Sequence, residues 1–203
     1  MGIKLALHSI TIRHCKDLEK KFEIAAECGY DGVDLEETDV IRYLNEGHTS
    51  EDLIELADWA KKYEITLAYE FLGFAKQIKD LSMSWEIISR ANRDNIGLCI
   101  DTFHIYKGKS HIDDISAIPK EKILFVHIND AKERPVEQHG DYDRVFPGDG
   151  VLPVKEVLQA LRNISYDGFY SIEIYNEDYW KEDPEEIAIK AKEKTENIFA
   201  QLR

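Results

Sequence analysis

Four short apolar runs in this chain each carry a carboxylate or an imidazole near their C-terminal end, and this constrains the fold more than any bulk property. The runs are Ile65-Thr-Leu-Ala-Tyr-Glu70-Phe71, Ile96-Gly-Leu-Cys-Ile-Asp101, Ile123-Leu-Phe-Val-His127 and Tyr170-Ser-Ile-Glu173-Ile174. Apolar runs of this length, alternating with helical periodicity, are the pattern of parallel strands covered on both faces. Ionisable groups are costly in that setting unless something pairs or ligates them. One divalent cation satisfies all four groups if the strands converge in a barrel, where the C-terminal strand ends carry the chemistry.

The rest of the chain continues the alternation. Strands are expected over 3–8, 32–36, 65–71, 96–101, 123–128 and 169–174. Helices are expected over 16–28, 50–63, 80–91, 153–163 and 184–202, with a short one at 113–118 stopped by Pro119. Ser50 serves as N-cap of the second helix, whose apolar stripe is Leu53, Leu56, Ala57 and Ala60. Pro184 sits at the first helical position of the last. Residues 130–150, rich in Gly, Asp and Pro, read as a long loop. The result is an α/β chain, a single domain over 1–203, with a TIM-barrel-like parallel (β/α) barrel shortened to about six βα units where a full barrel has eight. Strand parity agrees with a lumen. Thr66, Ala68 and Glu70 share one face, as do Gly97, Cys99 and Asp101, with bulky apolar residues opposite.

With 203 residues there is room for one sizeable core. A net charge of −14 repels phosphate backbones and argues against nucleic acid as a partner. No run reaches the roughly 18 apolar residues of a membrane helix. The first residues read as a strand rather than a signal peptide. Cys15, Cys28 and Cys99 are odd in number and widely spaced, which fits a reducing cytoplasm.

Taken singly, a strand-end Glu reads as a solvated rim residue and a lone strand His as a hydrogen-bonded core residue. Four at equivalent positions make a mixed oxygen and nitrogen set suited to Mn²⁺, Mg²⁺, Co²⁺ or Zn²⁺, and unlike a thiolate zinc site. Other polar groups lie close in sequence. His8 ends the first strand, and Asp34 and Glu36 the second. Asp130 fits a helix or turn cap, His104 a hydrogen-bond donor behind a ligand, and Arg144 an ion pair stapling its loop, where Asp143 adjoins it. Tyr179 and Trp180 fit as covers of the barrel mouth.

The segments Ile-Asp101-Thr-Phe-His104, Val-His127-Ile-Asn-Asp130, Asp143-Arg144-Val-Phe-Pro-Gly-Asp-Gly150 and Glu173-Ile-Tyr-Asn-Glu-Asp-Tyr179-Trp180 together resemble the xylose-isomerase-like TIM-barrel superfamily. Within it they are most similar to sugar phosphate isomerases/epimerases of the inosose isomerase type. The resemblance is strongest from about residue 65 onward; before it, Gly29-Tyr-Asp-Gly-Val-Asp-Leu35 matches the usual second strand. It implies one divalent metal held by Glu70, Asp101, His127 and Glu173. It further implies Glu70 and Glu173 as the acid/base pair, His104 and Arg144 on substrate oxygens, and a small polyol or ketose as substrate. The implied chemistry is α-proton transfer through an enediolate. Alternatives on the same fold are a dehydratase of a cyclic hydroxy-ketone and a shortened, non-catalytic metal- or ligand-binding barrel.

The departure from the family is a shortfall of about two βα units between the second strand and the Glu70 strand, with helix 50–63 standing for either the family's second helix or its fourth. No metal ligand is lost. Unpaired strand edges there would invite another chain, so a homo-oligomer is expected.

Overall fold

The structure, a computed structural model, describes residues 6–8, 15, 17–28, 32–34 and 51–202. Its elements are β1 (Ala6–His8), α1 (Leu18–Glu27), β2 (Gly32–Asp34), α2 (Glu51–Lys62), β3 (Leu67–Glu70), α3 (Leu81–Ala91), β4 (Ile96–Asp101), α4 (Thr102–Lys107), β5 (Ile123–Ile128), β6 (Asp130–Ala131), β7 (Arg144–Val145), α5 (Val154–Asn163), β8 (Phe169–Ile172) and α6 (Pro184–Phe199). β1 to β5 and β8 are the six strands expected from the apolar runs. The Ser50 cap, Glu36 and the connection 35–50 lie outside the described residues.

The chain forms two compact units, Met1–Tyr69 with Glu86–Gly97, and Glu70–Trp85 with Leu98–Arg203. In the first, β1 and β2 pair in parallel, His8 level with Asp34. Asp17 caps α1 by accepting from the Lys20 amide at 3.0 Å, and the helix buries Phe22 and Ala25. From the expected stripe of α2, Leu56, Ala57 and Ala60 are buried and Leu53 is partly exposed. Asn95 ties the middle of that helix to Ile65 beyond its end, its amide donating to the carbonyls of Ala57 at 2.7 Å and Ile65 at 3.2 Å.

A four-stranded sheet has the order β3-β4-β5-β8, and β4, β5 and β8 are parallel. Strands added in chain order and in one direction are the winding of a barrel; a doubly wound sheet reverses. In the second unit Leu98, Ile100, Val126 and Ile128 are fully buried, as are Val157, Leu158 and Leu161 of α5. Asp183 caps α6 by accepting from the amides of Glu185 and Glu186. No helix among the described residues is long and apolar enough to cross a membrane.

The loop expected over 130–150 has structure of its own: β6 and β7 form a small antiparallel ribbon, Asp130 opposite Val145. The short helix near 113 is a 3-10 helix, Ile112–Ala117. Helix α4, directly after β4, was not expected from the sequence.

Candidate metal centre

Strand register brings the ionisable groups together. Asp101 of β4 lies level with His127 of β5, and His127 level with Ser171 of β8. Glu173 is two residues past Ser171, on the same face, and its amide continues the ladder by donating to the Ile128 carbonyl at 3.2 Å. The alignment depends on an irregularity where β4 meets β5, with Leu124 of β5 as the extra residue. Leu98 pairs with Ile123, but Cys99 pairs with Phe125. Without that one-residue shift Asp101 would lie level with Val126, and His127 would face the other side.

The four groups read from the sequence do converge. One ligand atom from each of Glu70, Asp101, His127 and Glu173 lies within 4.8 Å of all the others. His127 Nδ1 is the hub, 2.9 Å from Glu70 Oε1, 3.4 Å from Glu173 Oε2 and 3.8 Å from Asp101 Oδ2. Adjacent ligands on one small divalent ion are about 3–3.5 Å apart and opposite ones about 4.4 Å, given bonds of about 2.0–2.2 Å. Three carboxylates and an imidazole at these separations therefore fit such an ion after small inward shifts.

The same crowding moves their protons. Burial opposes charging His127, but the hydrogen bond to Glu70 and the charges of Glu70, Glu173 and Asp101 outweigh it and push the imidazole up to about 9. Burial raises Glu173 to about 7, with Asp101 and Glu70 adding and His127 and Arg144 opposing. Asp101, fully buried, is nonetheless held down at about 2 because Arg144, His104, His127 and the Asn129 amide favour its anion over the cost of burial.

Arg144 stands within the cluster. It is 1% exposed, and its Nη1 donates to Asp101 Oδ2 and Glu173 Oε2, each at 2.8 Å. Nη2 donates to Asp141 Oδ1 at 3.0 Å, and the guanidinium lies over the Phe103 ring at 4.8 Å. His104 is buried, and its Nδ1 accepts from the Gly73 amide at 3.2 Å. Burial and the Arg144 charge keep this ring neutral against Asp101 and Glu70. A neutral ring accepting at Nδ1 carries its proton on Nε2. That N–H lies 3.4 Å from Arg144 Nη2, so two donors stand side by side.

Asp101 does three tasks. It ends β4, faces the cluster, and caps α4 by accepting from the amides of Phe103 at 2.6 Å and His104 at 3.3 Å. Asn129, which sequence reasoning passed over, donates its amide to both Asp101 oxygens at 3.1 Å while its backbone N–H and C=O meet the Thr102 hydroxyl. Its position between His127 and Asp130 was the available signal. Cys99, known from parity to share the Asp101 face, sits beside Glu70 and His127.

Asp130 is a turn cap, not a ligand. Its carboxylate accepts from four backbone amides, those of Ala131, Gly148, Gly150 and Leu152, at 2.8–3.0 Å. This explains the Pro-Gly-Asp-Gly motif. Gly148 has φ +86°, and a Cβ on Gly150 would collide with the Ala131 carbonyl. Asp143 accepts from Gly140 N and pairs with Arg134. Tyr179 stacks on Phe146 at 4.2 Å, and Trp180, 60% exposed, meets Tyr142 edge-on. The side chains of His8 and Asp34 lie outside what is described.

The family model for the xylose isomerase-like TIM barrel matches residues 13–197. The inosose isomerase of Bacillus licheniformis is 30% identical over 187 residues, covering 92% of this chain and 65% of the relative. The chain thus spans about two thirds of that relative's length. The 3-dehydroshikimate dehydratase of Pseudomonas aeruginosa is 29% identical over 170 residues, covering 82% of this chain and 27% of the relative. In structure, an IOLI protein crystallised with a bound zinc atom superposes with a TM-score of 0.71 at 22% identity, over 99% of both chains, a likeness of fold. The matched span takes in more than half of the residues, and the chain belongs to the xylose isomerase-like TIM barrel family.

Proposed function

We propose that the chain is a divalent-metal-dependent isomerase or epimerase of a small keto-polyol or ketose, with Glu70 and Glu173 as its proton-transfer pair. The observation that carries this reading is the convergence of Glu70, Asp101, His127 and Glu173 at the C-terminal strand ends, within 4.8 Å of one another. A bound ion supplies Lewis acidity, drawing electron density from carbonyl and hydroxyl oxygens so that the adjacent C–H ionises more easily.

The protein's own groups do the rest. Glu173 lies beside the hub of the cluster, its Oε2 3.4 Å from His127 Nδ1, where a carboxylate can take and return a proton. Glu70 stands across His127 from it, so one carboxylate removes the α-proton and the other returns one. The His104 Nε2–H and the Arg144 guanidinium hold substrate oxygens and fix which carbon faces the pair. Exposed rings of Phe74, next to His104, and Tyr175, next to Arg144, offer flat apolar surface to the C–H face of a polyol. The likeness to inosose isomerases supports a cyclic keto-polyol as substrate.

The likeness to 3-dehydroshikimate dehydratase supports a second reading, in which the same α-proton abstraction ends in loss of a β-hydroxyl. One experiment separates them. The metal-loaded protein is incubated in D₂O with inososes, ketoses and 3-dehydroshikimate, followed by NMR. Deuterium incorporation at the α-carbon with isomer formation supports the proposal, and Glu173→Gln abolishes it. Loss of water identifies a dehydratase. Absence of exchange on every substrate leaves a non-catalytic barrel and overturns both.

A further inference from the structure

Cys99 lies outside the four-donor set yet touches it. Its side chain is on the Asp101 face of β4, is 1% exposed, and starts at the register shift between Leu98 and Cys99. Sγ is 3.6 Å from His127 Nδ1 and 3.8 Å from Glu70 Oε1, and those two atoms are 2.9 Å apart. An ion bonded to sulfur at about 2.3 Å and to nitrogen or oxygen at about 2.0–2.1 Å holds S and N or O roughly 3.3–3.6 Å apart at near-tetrahedral angles. It holds N and O about 2.9–3.3 Å apart. All three edges of the triangle are within a few tenths of an ångström of what one zinc-sized ion needs. The 2.9 Å edge is also the Glu70–His127 hydrogen bond, so what the thiol adds is a sulfur placed 3.6 and 3.8 Å from its two ends.

The two candidate sets share Glu70 and His127 and differ in what completes them. On one side are Asp101 Oδ2 and Glu173 Oε2, both of which already accept from the Arg144 guanidinium at 2.8 Å. On the other is a thiol sulfur, a softer donor than any oxygen or nitrogen of the four-donor set. Soft thiolate donors favour zinc, while the four-donor set, three carboxylates and one imidazole, is the harder of the two and suits manganese and magnesium better. We propose that Glu70, Cys99 and His127 form a second position for the ion, occupied by zinc or cobalt through a Cys99 thiolate, while manganese or magnesium takes the Glu70–Asp101–His127–Glu173 position. Three protein ligands leave a coordination place open, the arrangement of zinc sites that accept an exogenous oxygen. The inference rests on the reading that this cluster holds a divalent ion.

Cobalt provides the test. The chain carrying Cys15→Ser and Cys28→Ser is titrated with Co²⁺ and followed by absorbance, because only a thiolate ligand gives an intense near-ultraviolet charge-transfer band. The band is expected to saturate at one equivalent, to persist in Glu173→Gln and to vanish in Cys99→Ser. Cys99→Ser is also expected to weaken Co²⁺ binding by at least about tenfold while Mn²⁺ affinity changes less than about twofold. Should Cys99→Ser not fold, zinc X-ray absorption of the unaltered chain gives the same answer, with one sulfur at about 2.3 Å. Bound cobalt without the band, or a zinc shell of oxygen and nitrogen alone, overturns the proposal and leaves the four-donor reading standing. Failure to bind any of these ions overturns that reading as well.

Discussion

His127 carries a proton in the metal-free protein because Glu70, Glu173 and Asp101 surround it, and a metal reaching Nδ1 must displace that proton. Glu173, raised to about 7, loses its own proton at the same time. Divalent-ion affinity, measured by calorimetry, is therefore expected to climb from pH 6 to pH 9 with proton release; affinity independent of pH contradicts this. The sign for the metal-free protein is opposite. His127, raised above the ordinary value of 6.5 to about 9, contributes stability that is fully present below 6.5 and is lost as pH rises through 9. Glu173 is raised too, so its contribution also fades as pH rises through 7. Asp101, depressed to about 2, contributes stability present above 3.8 and lost as pH falls through 2. Thermal unfolding in chelator should thus show a falling Tm between pH 7 and pH 10, with added metal reversing the trend. Arg144→Ala leaves Asp101 buried without its main cationic partner, which costs on the order of 3 kcal/mol in the metal-free protein. In the loaded protein the same change is expected to raise KM or lower kcat with metal content unchanged. Loss of metal would show that Arg144 organises the ligands instead of facing substrate. The identities of these groups were legible because each breaks an apolar run. Arg144's burial among the ligands was not, since it comes from a loop whose path is set by tertiary contacts.

At the scale of elements, β4 and β5 could be delimited from sequence to the residue, because their apolar runs end in Asp101 and in the His-Ile-Asn-Asp segment. The register shift at Cys99 could not, since a bulge is decided by how two strands meet and leaves no mark in either run. Helix α4 was missed because it is six residues long and starts inside a motif already assigned to the site. Asp101 as N-cap and Gly108 as C-cap were the signals available. The ribbon β6–β7 was hidden by its turn-rich composition. Its anchor is Asp130, and Asp130→Ala, by orphaning four amides, is expected to cost roughly 3 kcal/mol in urea unfolding. A loss under about 0.5 kcal/mol would mean that solvent replaces those bonds without penalty.

For the whole molecule, the described residues hold a parallel pair, β1 and β2, and a sheet in which β4, β5 and β8 are parallel, and the chain spans 65% of its Bacillus relative. Phe169 and Ile172 of β8 are 74% and 38% exposed, apolar side chains available to another chain. Light scattering over a concentration series is expected to show a homo-oligomer, and a strict monomer contradicts it. What the sequence made legible at this scale was the winding, since βα alternation dictates it; the length of the family's barrel is not written in one chain. The claim on which everything else stands is that four strand-end groups make one metal site. Metal analysis of protein dialysed against Mn²⁺ measures it directly, comparing the unaltered chain with Glu70→Ala and His127→Ala, each checked for folding by circular dichroism. One equivalent in the unaltered chain and none in either folded variant is the expected result. No bound metal, or one equivalent retained in both variants, would contradict the account.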